Sequence, residues 1–215
     1  MLDGGYSLGE EIAHAVTHGV GIALAIAGLA AMVAFSSLYG DAWHITSSSI
    51  YGATLILCFS ASTLYHGIPH PRAKLVLRQI DHAAIFLLIA GTYTPFTLVS
   101  MRGPWGWTLL GLVWGLAIAG MVLELTTRGR YKGLSLAMYL GLGWLVLIAI
   151  KPMWATVDTG GLILLLAGGL CYSLGVIFFA WERLAYHHAV WHLFVLAGAV
   201  FHFFAVFFYV IPAAS

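Results

Sequence analysis

Apolar residues run along the chain in long blocks that short polar segments separate. Each block is about 20 residues long, the length of an α-helix that crosses the hydrocarbon core of a bilayer. The polar segments, such as HGIPHPRAK, RGPWG and TTRGRYKG, carry most of the charge and several prolines. The pattern predicts seven membrane-spanning helices, at residues 14–36, 44–66, 79–100, 104–125, 133–151, 161–182 and 188–211.

Composition excludes a protein whose surface mostly faces water. Of the 215 residues, 61% are hydrophobic and 8% are charged, whereas roughly a quarter of a soluble domain is charged. Residues 1–215 are therefore predicted to form one all-α membrane domain, a seven-transmembrane helix bundle. The acidic N-terminus lacks the basic region of a signal peptide, so the first span is expected to stay in the mature protein. Cys58 and Cys171 lie within spans and are expected to pack as small apolar residues.

The nine lysine and arginine residues divide unequally between the two predicted membrane faces. Seven fall on the face that carries the N-terminus, and two, Arg102 and Lys151, fall on the opposite face. Short loops rich in Lys and Arg remain in the cytoplasm. The sequence therefore predicts a cytoplasmic N-terminus and an outside C-terminus, with loop cations such as Lys74 acting as topology signals.

Ionisable residues within the predicted spans collect near the cytoplasmic ends. These residues are Glu11, His14, His18, His66, Asp81, His82, Glu124, His187, His188 and His192. Only His44 falls at the outer end, and His202 falls near mid-membrane. These two residues are too few to form a proton or ion path across the bilayer. Ionisable groups inside a membrane are costly, which makes the cytoplasmic cluster a candidate functional site.

Helical spacing singles out candidate metal ligands in this cluster. His188 and His192 are four residues apart, so their rings lie on one helix face, and Ser62 and His66 in SASTLYH have the same spacing. Three imidazoles from two helices at one depth can supply the protein ligands of a catalytic zinc ion and leave a position for water. Asp81 enters at a comparable depth, as a supporting or catalytic carboxylate.

Spacing alone leaves other interpretations open. His14 and His18 form a second HxxxH and are a rival ligand pair. A single histidine at a membrane end can equally be interfacial or hydrogen-bonded to a neighbouring helix, and His70 and His187 are assigned to that class. Asp81 and His82 could instead cap the N-terminus of the third span, where a negative charge is favourable.

Four segments of the chain resemble one protein family: GEEIAHAVTHGVG, SASTLYH, DHAAIFLLIAGTYTPF and HHAVWHLFVLAGAVFHF. Their order on seven spans is similar to that of the hemolysin III branch of the progestin and adiponectin receptor family. The resemblance implies a seven-span fold with a cytoplasmic N-terminus and a zinc site. The zinc ligands that it implies are His66, His188 and His192.

The resemblance also implies roles for the neighbouring residues. Ser62 and Asp81 would contact the metal-bound water, with Asp81 accepting its proton. The resemblance favours the pair on the last span over His14 and His18, and it leaves Glu11 and His18 as supports.

The predicted function is a zinc-dependent intramembrane hydrolase that acts on an amide or ester of a membrane lipid. Receptor members of the family are associated with ceramide hydrolysis, and a role in lipid homeostasis of a bacterial plasma membrane fits this minimal chain. Membrane lipids are the expected partners, and no nucleic acid is expected. The alternative is a non-enzymatic sensor or receptor-like protein with a structural zinc, although structural sites usually use four protein ligands. The chain shows neither a long extracellular loop for a protein hormone nor an amphipathic lytic segment.

The cation distribution makes the topology testable. Reporter fusions should place Ser215 outside the cell and the Arg128–Lys132 loop inside it, because positively charged loops resist translocation. Paired alkaline phosphatase and green fluorescent protein fusions at these two positions and at the N-terminus measure each side independently. Signals from the same side for both termini would contradict an odd number of spans.

Overall fold

In the computed structural model, which describes residues 5–212, seven helical segments are long and apolar enough to cross a membrane. The predicted number of spans is thus confirmed, while Ser215 lies outside the described residues. The helices are α1 Leu8–Tyr39, α2 Ala42–Gly67, α3 Pro71–Pro95, α4 Pro104–Thr127, α5 Lys132–Gly143, α6 Ile150–Thr156, α7 Thr159–Ala180 and α8 His187–Tyr209. Together, α5 and α6 form the fifth span, α7 is the sixth and α8 is the seventh.

The first span begins earlier than its apolar pattern predicts. Ser7 is the N-cap of α1, where its Oγ accepts a hydrogen bond from the Glu10 backbone N–H at 3.3 Å. Glu10 Oε2 in turn accepts from the Ser7 backbone N–H at 2.8 Å, which completes a capping box. The added turns bring Glu11 into the helix, one turn before His14.

The third span also starts before its predicted boundary. Pro71 occupies the first turn of α3, and His70 is the N-cap whose side chain accepts from the Ala73 backbone N–H. The interpretation of Asp81 as a cap is therefore wrong, because Asp81 lies well inside α3 and its side chain is buried. At its other end, the span continues past Pro95 as a π-helical turn over Phe96–Ser100.

The fifth span is broken near its middle. Between α5 and α6, the segment Trp144–Ala149 forms a 3₁₀ helix. The Tyr93 hydroxyl donates to the Gly143 carbonyl at 2.8 Å and accepts from the Val146 backbone N–H at 2.9 Å. Irregular backbone at membrane depth is tolerated where such groups find partners inside the protein. The break leaves a gap between the fifth span and α7.

The helices pack as a bundle with an apolar outer surface. In the closest backbone contacts, α1 packs on α2, α2 on α3, α3 on α4, and α8 on both α7 and α1. Tyr51, Phe59 and Phe86 are fully buried at the centre. Large apolar side chains on the outer faces, such as Leu166 and Phe208, remain exposed, as the lipid-facing surface of a membrane protein requires. This packing brings the start of α1, the end of α2 and the start of α8 together.

Candidate metal centre

Three buried histidines meet at one end of the bundle. Within residues 5–212, one ring nitrogen from each of His66, His188 and His192 lies within 4.8 Å of the others. The ring centroids of His188 and His192 are 4.6 Å apart, one turn from each other on α8, and each centroid is 5.2 Å from that of His66 on α2. We call these residues the three-histidine group.

The free ring nitrogens of this group fit a metal ion. Nε2 of His66, Nε2 of His192 and both ring nitrogens of His188 are buried and have no hydrogen-bond partner among the described residues. Buried polar atoms are normally hydrogen-bonded, so a cluster of exceptions requires an explanation. Imidazole nitrogens are preferred zinc ligands, and three of them match the protein ligands of catalytic zinc sites. The donor set therefore suits a zinc ion.

Hydrogen bonds at the opposite ring nitrogens orient these side chains. The Nδ1 atom of His66 lies 2.7 Å from Glu11 Oε2, and a carboxylate oxygen only accepts in its ionised form, so Nδ1 carries the proton. The Nδ1 atom of His192 lies 3.3 Å from the carbonyl oxygen of His14, which imposes the same tautomer. In both rings the Nε2 lone pair is left free. Metal-binding histidines are held in this way by carboxylates and carbonyls.

A buried ion pair holds Glu11 in place. The Lys74 Nζ atom donates to Glu11 Oε1 at 2.7 Å and to the Tyr65 carbonyl oxygen at 3.1 Å, and Lys74 is only 4% exposed. The ammonium group balances the carboxylate charge, and without it Glu11 would be a costly isolated anion. Sequence reasoning interpreted Lys74 as a topology signal and missed this contact, because the third span was predicted to begin after it.

A second group of potential ligands shares His66. Side-chain atoms of Glu11, His14 and His66 also lie within 4.8 Å of one another. In this group, however, Glu11 and His66 already contact each other. The Nδ1 atom of His14 lies 3.3 Å from the Nδ1 atom of His66. In the described part of the chain, His14 and His18 do not occur together in either group of potential ligands. Instead, the His18 ring stacks on the ring of His192 with a centroid distance of 3.6 Å.

Asp81 and Ser62 do not belong to the three-histidine group. Asp81 is 7% exposed and lines a cavity inside the bundle together with His18 and Cys58. We call this the inner cavity. Ser62 lies between Cys58 and His66 on one face of α2, and its buried Oγ has no hydrogen-bond partner in residues 5–212.

Tyr6 and His187 make further contacts at the end of the bundle where the three-histidine group lies. The Tyr6 ring lies 4.8 Å from the ring of His14 and 5.3 Å from that of His188. Burial raises the pKa of Tyr6, so its hydroxyl stays protonated. The sequence offered no signal for Tyr6, which precedes every apolar block. His187 contacts the Phe178 carbonyl oxygen of α7 through Nδ1 at 3.1 Å, in agreement with its assigned role.

His82 and Glu124 form a separate connection at the same end. His82 Nδ1 lies 2.9 Å from Glu124 Oε1, and the Ser135 hydroxyl donates to Glu124 Oε2 at 2.5 Å. These bonds join α3, α4 and α5. We interpret them as structural, because their atoms are satisfied without an added ligand.

The fold and these contacts define a multi-pass helical membrane protein with a buried three-histidine group at one end. A family model described as "Haemolysin-III related" matches residues 6–203. The chain belongs to this family, and the resemblance noted from its motifs is confirmed.

Relatives cover nearly the whole chain. Hemolysin-3 of Bacillus cereus is 47% identical over 206 residues, spanning 96% of this chain and 94% of the relative. The Hemolysin-3 homolog of Bacillus subtilis (strain 168) is 46% identical, spanning 95% of this chain and 96% of the relative. The human Monocyte to macrophage differentiation factor is 31% identical, spanning 92% of this chain and 83% of the relative.

The three-histidine group should determine the metal content. Purified protein is expected to carry about one zinc per chain, and His66→Ala, His188→Ala or His192→Ala should each remove most of it by elemental analysis. His14→Ala should retain zinc, because His14 belongs only to the second group. His44→Ala, at the other end of the bundle, is the matched control. Zinc retained by the His188→Ala, His192→Ala double variant would refute the assignment.

The contact of Glu11 with His66 should affect metal affinity. Glu11→Gln keeps the size of the side chain but removes the charge that fixes the His66 proton and pairs with Lys74. Its zinc affinity should fall by roughly 10-fold to 100-fold, as for other partners of metal-binding histidines, measured by competition with a chromophoric chelator. Glu10→Gln, on the same turn but outside both ligand groups, keeps an acceptor for the capping box and should leave the affinity unchanged. Equal affinities for Glu11→Gln and wild type would show that the contact does not orient the ligand.

Proposed function

We propose that this protein is a zinc-dependent intramembrane hydrolase that cleaves an amide or ester of a membrane lipid. The observation that carries the proposal is the set of unpartnered ring nitrogens in the three-histidine group, whose His192 stacks on His18, a residue that lines the same cavity as Asp81. Membership of a family of multi-pass membrane proteins supports a role in membrane-lipid homeostasis. The bacterial relatives support a location in the plasma membrane, with the site on the cytoplasmic side.

The metal would be held by His66, His188 and His192. When bound, zinc polarises a carbonyl group and lowers the pKa of water, so that hydrolysis proceeds at neutral pH. Among the described residues the group offers three protein ligands, and a three-ligand set leaves a position open, as catalytic sites require.

Asp81 is the proposed general base. Its carboxylate would accept a proton from the attacking water while the new carbon–oxygen bond forms. The same proton would pass to the leaving nitrogen or oxygen as the C–N or C–O bond breaks. The products are a carboxylic acid and an amine or alcohol. Ser62, whose hydroxyl has no partner among the described residues, would donate a hydrogen bond to the oxygen of the reacting carbonyl group.

The cavities support a substrate that arrives from the bilayer. The inner cavity has a volume of about 140 Å³ and shares lining residues with a second cavity of about 280 Å³. We call the second one the lateral cavity. It lies between the fifth span and α7, and its lining residues Trp154, Ile163 and Leu166 are also exposed on the outer surface. We propose that an acyl chain enters from the lipid through the lateral cavity and reaches Asp81 through the inner cavity without crossing water.

A sensor with a structural zinc is the second candidate. The observation in its favour is the dense connection of helices at the site, where Glu11 on α1 contacts His66 on α2 and Lys74 on α3. A metal at that point would stabilise the bundle without any reaction. Loss of a catalytic carboxylate distinguishes the two candidates, because a sensor does not need a proton acceptor.

Asp81→Asn tests catalysis separately from metal binding. The substitution preserves size but removes the proton acceptor, so hydrolysis of a fluorogenic lipid amide or ester should fall by roughly 10²–10⁴-fold. Zinc content should change little, because all three histidines remain. Asp158→Asn, at the exposed start of α7, is the matched control.

The opposite results are equally clear. Zinc lost together with the fold in Asp81→Asn would make Asp81 structural. Full biological activity of a zinc-bound Asp81→Asn protein that no longer hydrolyses lipid would favour the sensor.

A further inference from the structure

The three-histidine group is closed off from its surroundings. His66, His188 and His192 are all buried. The inner cavity is lined by His18 and Asp81, but none of the three histidines lines it or the lateral cavity. A metal ion and water come from an aqueous phase, so they need another way in. A side chain that covers the group must therefore move to admit them.

Tyr6 covers the group at the start of α8. The centroid of its ring lies 5.3 Å from that of His188 and 6.3 Å from that of His66. It also lies 5.9 Å from the ring of His187, the first residue of α8. His192 lies one turn further along α8 than His188. Tyr6 thus packs on the outer end of the group, and it is itself partly exposed.

The backbone position of Tyr6 distinguishes it from the other side chains around the group. Among the described residues, the other rings that contact the ring of His188 belong to His14, His66, Phe179, His187, Trp191 and His192. All of these residues lie within α1, α2, α7 or α8. Tyr6 precedes Ser7, the N-cap of α1, and so lies outside the helix. Chain ends open locally at a lower free energy than packed helices, so Tyr6 is the cover that can move.

An exposed hydrogen bond ties the start of α1 to the turn before α8. Glu10 Oε1 accepts from the Tyr186 backbone N–H at 3.2 Å. Tyr186 has a φ of 57°, which is uncommon for a residue other than glycine. Gly9 leaves room for it, because a Cβ atom at Gly9 would lie 2.9 Å from the Tyr186 hydroxyl oxygen. The bond places the segment next to Tyr6 against the turn that leads into α8, and water can replace it when the segment opens.

We propose that the Tyr6 side chain is a lid over the three-histidine group, and that a metal ion and water reach the group at this end of the bundle when the ring swings away. An aromatic ring suits this role, because it packs on the imidazole rings and excludes water without occupying a ligand position. The assignment of the ion as zinc rests on the proposed function, whereas closure of the group by Tyr6 does not require a metal.

Chemical labelling of the metal-free, full-length protein tests the lid directly. Diethyl pyrocarbonate modifies a neutral imidazole nitrogen that it can reach, and tandem mass spectrometry gives the rate at each histidine. Tyr6→Ala should speed the labelling of His66 and His188 by roughly tenfold, because the rate follows the population of the open state and one or two ring contacts are lost. Tyr6→Phe keeps the ring and should match the wild type. Unchanged labelling in Tyr6→Ala would overturn the proposal.

Two other histidines serve as references in the same experiment. His70 is exposed at the start of α3 and should react quickly in every variant. His202 is buried on α8 and should react slowly in every variant. If His202 also becomes reactive in Tyr6→Ala, the whole bundle has opened, and a local lid is excluded. Tyr131→Ala is the matched control, because Tyr131 is exposed directly before α5. It should leave the labelling of the three-histidine group unchanged.

Exchange kinetics distinguish a lid from a residue that supports the ligands. A side chain that covers the ion equally in the open and occupied site changes the barrier but not the affinity. Tyr6→Ala should therefore raise the rates of zinc uptake and zinc release by the same factor, measured by stopped flow with a chromophoric chelator. A lower affinity with an unchanged uptake rate would make Tyr6 a support of the ligands and would contradict the lid.

The labelling experiment also separates this proposal from the proposed function. Faster labelling in Tyr6→Ala of a protein that binds no zinc would support the lid and refute the zinc-dependent hydrolase. Zinc-dependent hydrolysis by a protein whose labelling does not respond to Tyr6→Ala would do the reverse.

Discussion

The structure depends on one constraint, which is that a polar atom inside a membrane must find its partner within the protein. Water does not compensate for a missing hydrogen bond in hydrocarbon, and each unsatisfied group costs several kcal/mol. Most of this chain meets the constraint through its helices and through bonds such as that of the Tyr93 hydroxyl at the break in the fifth span. The end of the bundle where α1, α2 and α8 meet does not.

The exceptions are concentrated rather than scattered. Of twelve buried side-chain atoms without a partner in the described residues, eight belong to His14, His18, Ser62, His66, His188 and His192. At the same time, the other ring nitrogens of His66 and His192 are held by a carboxylate and a carbonyl. A site in which the supports are in place and the lone pairs are free has the features of a metal site.

The sequence predicted the parts of this arrangement that depend on local pattern. Apolar length predicts the number of spans, and a spacing of four residues places His188 and His192 on one face of α8. The sequence also predicted that His188 and His192 meet His66. Each span reverses the side of the membrane, so the end of the second span and the start of the seventh lie on the same side. The assignment of His66, His188 and His192 as ligands, with Asp81 and Ser62 as catalytic groups, stays a prediction.

Features set by packing between helices were beyond sequence reasoning. The early start of α3 depends on His70 and Pro71, and only that start places Lys74 against Glu11. The stacking of His18 on His192 was likewise not predictable from the spacing of His14 and His18, which alone makes them a plausible ligand pair. The break in the fifth span follows Gly141 and Gly143, but glycine within an apolar helix is often tolerated and does not by itself predict a break. Tyr6 and the two cavities likewise depend on the assembled bundle.

X-ray absorption spectroscopy of the purified protein at the zinc edge tests the central claim most directly. We expect three imidazole nitrogens at about 2.0–2.1 Å and one further light ligand, and an exchangeable inhibitor such as a hydroxamate should replace that ligand. A spectrum with four protein ligands that does not respond to the inhibitor would contradict a catalytic centre. A spectrum with two imidazoles and a carboxylate would place the metal at Glu11, His14 and His66, and it would refute the three-histidine group.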